Sequence, residues 1–299
     1  MRVLVSGATG LIGSAVVARL GQTGHAAIRL VRTDPDRGGT DVRWDPAKGA
    51  LDAAPLEGLD AVVHLAGEDI ASGAWTDAKK ARIRASRVDT TALLARTVAR
   101  LSRPPAVMAC ASALGYYGDR GDEVLTDESA AGTGFLASVC RDWEQAAAPA
   151  REAGIRVLHL RFGVVLDPSA GALSKMLGLF RKGMGGPIGG GRQYVSWIAL
   201  DDAVGAVLHG LSTPALSGAV NVSAPAAVTQ SDFAATLGRV LGRPTLLSVP
   251  AFGVRLMLGE MAGETILASQ RLVPGRLLAT GYTFRWPALE PALRHLLSV

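Results

Sequence analysis

The sequence predicts an α/β fold, in which a doubly wound parallel sheet has helices on both faces and is followed by a smaller, mostly helical C-terminal lobe. Two observations support this fold. Short, continuously apolar runs alternate with longer helical patterns in the first half of the 299-residue chain, as expected for parallel strands buried on both faces. A glycine-rich turn also joins the first strand to the first helix. We expect the sheet domain to span residues 1–166 and the lobe residues 167–299, with a late strand at 219–223 rejoining the sheet.

The elements follow from the places where the apolar runs start and stop. Strands are expected at residues 3–5, 26–31, 61–66, 106–111 and 156–162. Helices of the first half are expected at residues 11–20, 77–101 and 135–152. Later helices are expected at residues 201–211, 231–241, 252–269 and 289–297, after a glycine-rich loop at 183–191.

Composition narrows the class of protein. The chain is 48% hydrophobic and 19% charged, with a formal net charge of +5, which is ordinary for a globular enzyme. The basic residues are scattered apart from one run at 79–87, whereas nucleic-acid binders concentrate them. Two cysteines and five separated histidines give no disulfide framework and no metal-ligand spacing. We therefore expect a cytoplasmic monomer or homodimer with a small-molecule substrate, without metal, membrane span, leader or nucleic-acid partner.

The strongest motif is the GxxGxxG turn formed by Gly7, Gly10 and Gly13. The first glycine permits the tight turn, the second lets the backbone approach a pyrophosphate, and the third lets the helix pack against the strand. The free N–H groups of the helix N terminus then attract phosphate. This pattern predicts a Rossmann dinucleotide site, in which the other residues of the turn that contact the cofactor are Thr9, Leu11 and Ile12.

The end of the second strand indicates which dinucleotide is bound. A site for NAD usually has an acidic residue here to bind the ribose 2′-hydroxyl. This chain has Arg32, and the next acid is Asp34. A guanidinium can pair with a 2′-phosphate, which favours NADP over NAD. The alternative is that Arg32 is a solvated side chain at a strand end.

The stretch Leu59-Asp-Ala-Val-Val-His-Leu-Ala66-Gly67 resembles the DxVxHLA segment of extended short-chain dehydrogenases. That resemblance implies that small residues there let the chain run beside the adenosine, so Leu65, Ala66 and Gly67 are expected cofactor contacts. His64 lies within the apolar strand and is interpreted as a core histidine.

These motifs together resemble the extended short-chain dehydrogenase/reductase superfamily. More narrowly, the chain resembles the NAD(P)-dependent epimerase family whose human member is called SDR39U1, including its C-terminal lobe. The further stretches that carry this resemblance are Trp44-Asp-Pro, Gly67-Glu-Asp-Ile, Trp75, Ile83-Arg-Ala-Ser86-Arg87, Ala113-Leu-Gly-Tyr-Tyr-Gly118, Gly185-Gly-Pro-Ile-Gly, Ser196-Trp-Ile-Ala-Leu-Asp-Asp202 and Gly281-Tyr-Thr-Phe. The resemblance implies a Rossmann fold with NADP, but it does not supply a substrate.

The resemblance also implies a catalytic set of Ser, Tyr and Lys, with the last two spaced YxxxK. Ser112 stands where the serine is expected, after the strand at 106–111 that ends at Ala111. The Tyr and Lys positions, counted back from Glu144, hold Leu136 and Cys140. The remaining candidate acid is Tyr117, although its pair with Tyr116 could equally pack the loop against the sheet.

Other residues could complete the site. Arg87, in the Ser-Arg pair that is a signature of the resembling family, could bind cofactor phosphates with support from Arg82. Lys79, Lys80 and Arg84 are expected to form a solvated face. The backbone of the segment Arg161-Phe-Gly163-Val-Val165, which follows a strand, could contact the nicotinamide carboxamide, or could be simple strand-end packing.

These expectations predict an NADP(H)-binding oxidoreductase or epimerase-like enzyme that lacks the YxxxK pair. Ser112 is its expected hydrogen-bonding residue, and Tyr117 is its candidate acid. The alternative is a non-catalytic NADP(H)-binding protein that senses redox state. The missing tyrosine and lysine keep this second interpretation open.

Overall fold

A computed structural model describes residues 1–33 and 40–299, so Asp34 lies outside the described residues. The strands are β1 Arg2–Ser6, β2 Ala26–Val31, β3 Val42–Asp45, β4 Ala50–Leu51, β5 Ala61–His64, β6 Val107–Ala113, β7 Val124–Leu125, β8 Arg156–Phe162, β9 Val164–Leu166, β10 Tyr194–Val195, β11 Trp197–Ala199, β12 Gly218–Val222, β13 Val228–Thr229 and β14 Arg271–Leu272. The α-helices are α1 Leu11–Gln22, α2 Asp77–Ala99, α3 Phe135–Gln145, α4 Ala148–Glu152, α5 Gly171–Arg181, α6 Leu200–Ser212, α7 Gln230–Leu241, α8 Ala251–Leu258, α9 Glu260–Glu264, α10 Gly275–Ala279 and α11 Leu289–Leu297.

The main sheet has eight strands in the order β12-β8-β6-β5-β1-β2-β3-β4. Every neighbouring pair is parallel except β3 with β4. The chain starts at β1, runs outward to one edge, and returns across β1 to build the other half. This reversal is the switch point at which doubly wound sheets bind ligands, beyond the carboxyl ends of the strands.

Helices cover both faces of the sheet, as the continuously apolar strands predict. On one face, Val16 and Leu20 of α1 pack with Val204 and Val207 of α6. On the other face, Leu94 and Val98 of α2 share a core with Ala150 of α4. The predicted α/β fold class is therefore confirmed.

The C-terminal lobe has its own core, centred on Leu173, Leu177 and Phe180 of α5 and on Phe233 and Leu237 of α7. Two small strand pairs, β9 with β11 and β7 with β14, connect the lobe to the sheet domain, whereas β10 pairs with β13 within the lobe. The late strand β12 rejoins the main sheet at its edge, where it pairs in parallel with β8. None of the helices in the described ranges is long and apolar enough to span a membrane.

Several predicted helices differ from those observed. The helix predicted at 135–152 is two helices, α3 and α4, separated at residues 146–147. The helix predicted at 252–269 is also two, because Gly259 between α8 and α9 has a φ of +59°, which interrupts helical geometry. Elements that were not predicted are α5, α10 and the short strands β3, β4, β7, β9, β10, β11, β13 and β14. The short β3–β4 hairpin depends on long-range pairing with β2.

Candidate functional site

The glycine-rich turn has the close contacts that its spacing predicts. Gly7 has a φ of +68°, and a Cβ placed there would lie 2.7 Å from the Leu65 carbonyl carbon. A Cβ on Gly13 would lie 2.1 Å from the Gly7 carbonyl oxygen. The amide of Gly10 donates to that same oxygen at 2.9 Å. Side chains at positions 7 and 13 would therefore displace the turn from its strand.

The N terminus of α1 offers unused hydrogen-bond donors. Within the described chain, no side chain caps this helix, and its first turn holds no acidic residue. Thr9 and Gly10 are exposed, and Leu11 and Ile12 are partly exposed. The first N–H groups of a helix lack intrahelical partners, so an anion can reach them here.

Arg32 follows β2 and is exposed beside this helix end of the sheet. Its position at the carboxyl end of β2, next to β1, is the place at which a Rossmann site meets the adenosine ribose. The first acid after it, Asp34, is not among the described residues.

Buried hydrogen bonds between the ends of β1 and β5 support the glycine-rich turn. The Ser6 hydroxyl lies 2.6 Å from His64 Nδ1 and accepts the Leu65 amide at 3.2 Å. Burial lowers the pKa of His64 to about 4, so the ring is neutral at pH 7. His64 is fully buried, which confirms its interpretation as a core histidine.

The segment after β5 passes beneath a guanidinium. A Cβ on Gly67 would lie 3.2 Å from Arg87 Cζ, so Arg87 lies directly against Leu65–Gly67. Its guanidinium stacks 5.2 Å from the Trp143 ring centroid and donates to the Ile83 carbonyl. Arg82 is 60% exposed, and its one ion pair within residues 1–33 and 40–299 is with Glu68, at 3.5 Å. The structure brings Arg87 to the site and leaves Arg82 at its margin.

The expected solvated face at Lys79, Lys80 and Arg84 is wrong at Lys79, whereas Lys80 and Arg84 are partly exposed. Lys79 is buried and donates to the Glu68 carboxylate at 2.8 Å, the Asp69 carbonyl at 2.6 Å and the Ser72 hydroxyl at 2.7 Å. These bonds anchor the loop after Gly67, and they hold the pKa of Glu68 below its ordinary value.

The other two residues of this expected face, Lys80 and Arg84, form ion pairs. Lys80 pairs with Glu260 of α9, and Arg84 pairs with Asp142 of α3. The run of basic residues predicted a solvated face. The acidic partners Glu260 and Asp142 are distant in the sequence and meet the run only in the folded chain.

Ser112 belongs to a buried polar cluster at the carboxyl end of β6. Its hydroxyl donates to Glu144 Oε1 at 2.7 Å. Arg161 of β8 binds the same carboxylate through two nitrogens, at 2.8 and 2.9 Å. Although burial acts to lower it, the hydrogen bonds and charge of Glu144 raise the pKa of Arg161. The pair is bidentate, which is the strong geometry for an arginine and a carboxylate.

Tyr117 is fully buried behind this cluster. Its oxygen accepts from Arg161 Nη1 at 2.9 Å and lies 2.6 Å from Asn221 Oδ1 and 3.0 Å from the Thr126 carbonyl. Burial raises the pKa of Tyr117 to about 12. These surroundings argue against the predicted role of Tyr117 as an acid, because its hydroxyl is already hydrogen-bonded and is buried away from solvent.

The positions of the expected YxxxK pair hold apolar packing. Leu136 contacts the backbone at Gly115, where a Cβ would lie 3.2 Å from the leucine Cβ. Cys140 is buried, and burial together with the nearby Glu144 raises the pKa of its thiol to about 12. The amides of Phe135 and Leu136 donate to the carboxylate of Glu264 from α9, each at 3.0 Å. The lobe therefore covers the N terminus of α3.

The remaining predicted contacts flank the sheet edge. Ala111 is buried in β6, and Gly163 is buried between Ser196 and Val222. Val165 is partly exposed, and Gly171 lies between its carbonyl and the Leu11 side chain, at 3.6 and 3.9 Å from a Cβ at Gly171. The structure thus brings Val165 near the start of α1, while Gly163 serves close backbone packing.

Residues 161–165 were expected to contribute only backbone contacts, so the side-chain role of Arg161 was not predicted, and neither were the buried contacts of Lys79 and Asn221. One signal could have found Arg161: it stands between Leu160 and Phe162 in an apolar strand. A charged residue in a buried strand requires a buried partner, although the identity of that partner is set by the fold.

Residues 3–223 match the family model of the NAD dependent epimerase/dehydratase family. The chain belongs to this family. Residues 249–296 of this epimerase-family member match a domain of unknown function, DUF1731. The epimerase family protein MT2273 of Mycobacterium tuberculosis is 42% identical over 97% of this chain and 96% of its own length.

Two solved structures are also similar to this epimerase-family chain. Human epimerase family protein SDR39U1, crystallised with NADPH, is 33% identical with a TM-score of 0.91, covering 100% of this chain and 99% of that one. A nucleoside-diphosphate sugar epimerase from Corynebacterium glutamicum is 38% identical with a TM-score of 0.82, covering 99% of this chain and 58% of that one. The resemblance to the epimerase family is therefore confirmed along the whole chain.

Proposed function

We propose that this epimerase-family protein binds NADP(H) at the carboxyl edge of its sheet and uses it on a small organic substrate. The carrying observation is the uncapped, exposed N terminus of α1 behind Gly7, Gly10 and Gly13, with Arg32 at the end of the adjacent strand. This arrangement fits a pyrophosphate at the helix and a 2′-phosphate at the guanidinium. The NADPH in human SDR39U1 supports the same choice of cofactor over NAD.

The proposal assigns a contact to each part of the cofactor. The pyrophosphate lies against Gly7, Thr9, Gly10, Leu11, Ile12 and Gly13. Leu65, Ala66 and Gly67 border the adenosine, with Arg87 and, at the margin, Arg82 beside the phosphates. Ala111, Ser112, Gly163 and Val165 border the nicotinamide end.

Ser112 is the proposed catalytic residue. When bound, the nicotinamide supplies the hydride donor or acceptor. The Ser112 hydroxyl already donates its proton to Glu144, so its lone pairs remain for a substrate hydroxyl. Two hydrogen bonds from Arg161 hold the Glu144 carboxylate in place beside Ser112. The arrangement suits the binding of a substrate alcohol beside the cofactor.

The alternative function is a non-catalytic NADP(H)-binding sensor. Its supporting observation is that Leu136 and Cys140 occupy the usual Tyr and Lys positions while the Tyr117 hydroxyl is occupied by Arg161 and Asn221. For either function we propose a cytoplasmic monomer or homodimer, with the substrate-capping lobe beginning at residue 167.

Calorimetric titration with NADPH and NADH tests the cofactor. We expect tighter NADPH binding, which Arg32→Ala weakens by about 10- to 100-fold, the range for losing charge-assisted hydrogen bonds. Arg96→Ala removes an exposed charge elsewhere, on α2, and should leave affinity unchanged. Tighter NADH binding, or equal affinity in the Arg32 variant, would reject the NADP assignment.

Turnover distinguishes the enzyme from the sensor. Protein with NADP⁺ is incubated with a panel of alcohols and nucleotide sugars, and NADPH formation is followed by absorbance. Ser112→Ala should reduce any turnover while retaining NADPH binding. If no compound in the panel reduces NADP⁺ or exchanges hydrogen with labelled NADPH, the sensor interpretation is favoured.

A further inference from the structure

A groove lies on the face of the sheet that carries α3 and α4, away from the dinucleotide edge. Its volume is about 680 Å³. Val157, His159 and Ala219 form its floor, and Arg141 and Arg151 stand on the helices beside it. The register pairs His159 with Ala219, so the floor is the open surface of two neighbouring strands.

The groove is separate from the proposed cofactor site. It follows the first halves of β8 and β12, from Ile155 just before β8 and from Gly218 at the start of β12, whereas the glycine turn lies beyond the carboxyl end of β1. Strand β8 is three positions from β1 in the sheet, a separation of about 14 Å at the usual strand spacing. The two places share no predicted cofactor contact.

Two uncompensated cations border the groove. Arg141 and Arg151 are exposed, and neither guanidinium has a hydrogen-bond or ion-pair partner within residues 1–33 and 40–299. Other charges at the groove are already paired. Arg156 donates to the carbonyls of Gly210, Leu211 and Leu216 at the end of α6, and Glu144 is neutralised by Arg161. The groove therefore has a net positive rim.

The floor contains an unsatisfied polar group. His159 is only 7% exposed, and its Nδ1 has no hydrogen-bond partner among the described atoms. Burial lowers the pKa of His159, Glu144 raises it, and Arg161 and Arg151 lower it. The neutral ring offers one donor and one acceptor. Leaving such a group unpaired is unfavourable, and a ligand or ordered water that bonds to it removes the penalty.

We infer that this groove is a second ligand site, for an organic anion of metabolite size that bears a carboxylate or phosphate group. Its anionic group pairs with Arg141 and Arg151, and its polar body meets the ring of His159. The groove volume lies within the range of small-molecule sites, about 300–1,000 Å³. Tyr116 and Glu144 line its inner end, so an occupant also lies against residues that surround Arg161 and Ser112.

Titration of the protein saturated with NADPH tests the site, because the cofactor then covers the phosphate contacts of α1. Inorganic phosphate and succinate are titrated separately at constant ionic strength, and heat and melting temperature are recorded. We expect saturable binding of one probe at one site per chain. The probe that binds identifies phosphate or carboxylate as the favoured group.

The double variant Arg141→Gln/Arg151→Gln should weaken that binding by about tenfold or more. Arg96→Gln/Arg100→Gln removes the same charge from exposed positions on and after α2 and should change the dissociation constant less than about twofold. The proposal is overturned if neither probe saturates, or if both double variants lose affinity equally.

His159→Leu provides an independent readout. We expect weaker probe binding together with a higher melting temperature of the unliganded protein, because the unpaired nitrogen is removed. In the unmodified protein, the ring ¹⁵N resonances of His159 should shift on saturation. Resonances that stay fixed at saturation would contradict the site even if His159→Leu failed to fold. The same titrations without NADPH remain informative if the proposed cofactor does not bind.

Discussion

The two ends of the candidate site are built in different ways. At the glycine turn, the geometry comes from backbone contacts within residues 7–13 and from a helix end with unused donors. At Ser112, the geometry comes from side chains of β6, α3 and β8 that pair across long sequence separations. The glycine turn can be recognised from a local sequence motif. The Ser112 end depends on an ion pair that forms only when the sheet and α3 assemble.

The largest expected effect concerns the Ser112 end of the site. Arg161→Leu leaves the Glu144 carboxylate buried without its cation, so we expect a loss of about 3–5 kcal/mol of unfolding free energy. The matched control is Arg239→Leu, which breaks the exposed pair with Glu290 and should cost about 1 kcal/mol or less. Urea unfolding measures both. Similar losses of unfolding free energy in the two variants would show that the buried Arg161–Glu144 pair contributes no more than the exposed pair.

The next effect concerns the support beneath the turn. The pKa of His64 is 6.5 when unfolded and about 4 when folded, so the unfolded chain binds the additional proton below pH 6.5. The free energy of unfolding is therefore highest above pH 6.5. It falls by roughly 3 kcal/mol as the pH drops to about 4.

Unfolding free energies measured across this range test the assignment to His64. His64→Gln should flatten the curve, whereas His25→Gln, at a half-exposed position near the N terminus, should leave its slope intact. An unchanged slope in the His64 variant would refute the assignment.

Gly13→Ala tests the packing of the turn itself. The added Cβ meets the Gly7 carbonyl oxygen, and we expect a loss of about 1–3 kcal/mol from overpacking with loss of NADPH binding. Gly21→Ala is the control in the same helix, since a Cβ there meets no described atom within 4 Å. It should stabilise the protein by about 0.5–1 kcal/mol. Intact NADPH binding in Gly13→Ala would disprove the assignment of the turn.

The smallest expected effect separates structure from chemistry at Tyr117. Tyr117→Phe removes the hydroxyl between Arg161 and Asn221 and should cost about 1–2 kcal/mol. Turnover per folded molecule should not change. Tyr116→Phe, whose hydroxyl has no hydrogen bond within the described chain, should change stability by less than about 0.5 kcal/mol. Abolished hydride transfer in Tyr117→Phe would restore this tyrosine as the acid.

Much of the fold was predictable because its signals are local. The boundaries of β2, β8 and α11 match those expected from their apolar runs. The predictions failed where distant residues decide the structure. Lys79 was expected in solvent, yet its partners Glu68, Asp69 and Ser72 bury it. No pattern in the sequence shows that a loop will fold over a particular lysine.

The sequence by itself determined the parallel sheet, the glycine turn and the position of Arg32, because strand periodicity and glycine spacing are local constraints on the backbone. Only the tertiary structure decided that Ser112 meets Glu144 and Arg161, that Tyr117 is enclosed, and that Arg141 and Arg151 border one groove. These contacts join distant parts of the chain, and their partners are selected by packing rather than by neighbouring residues.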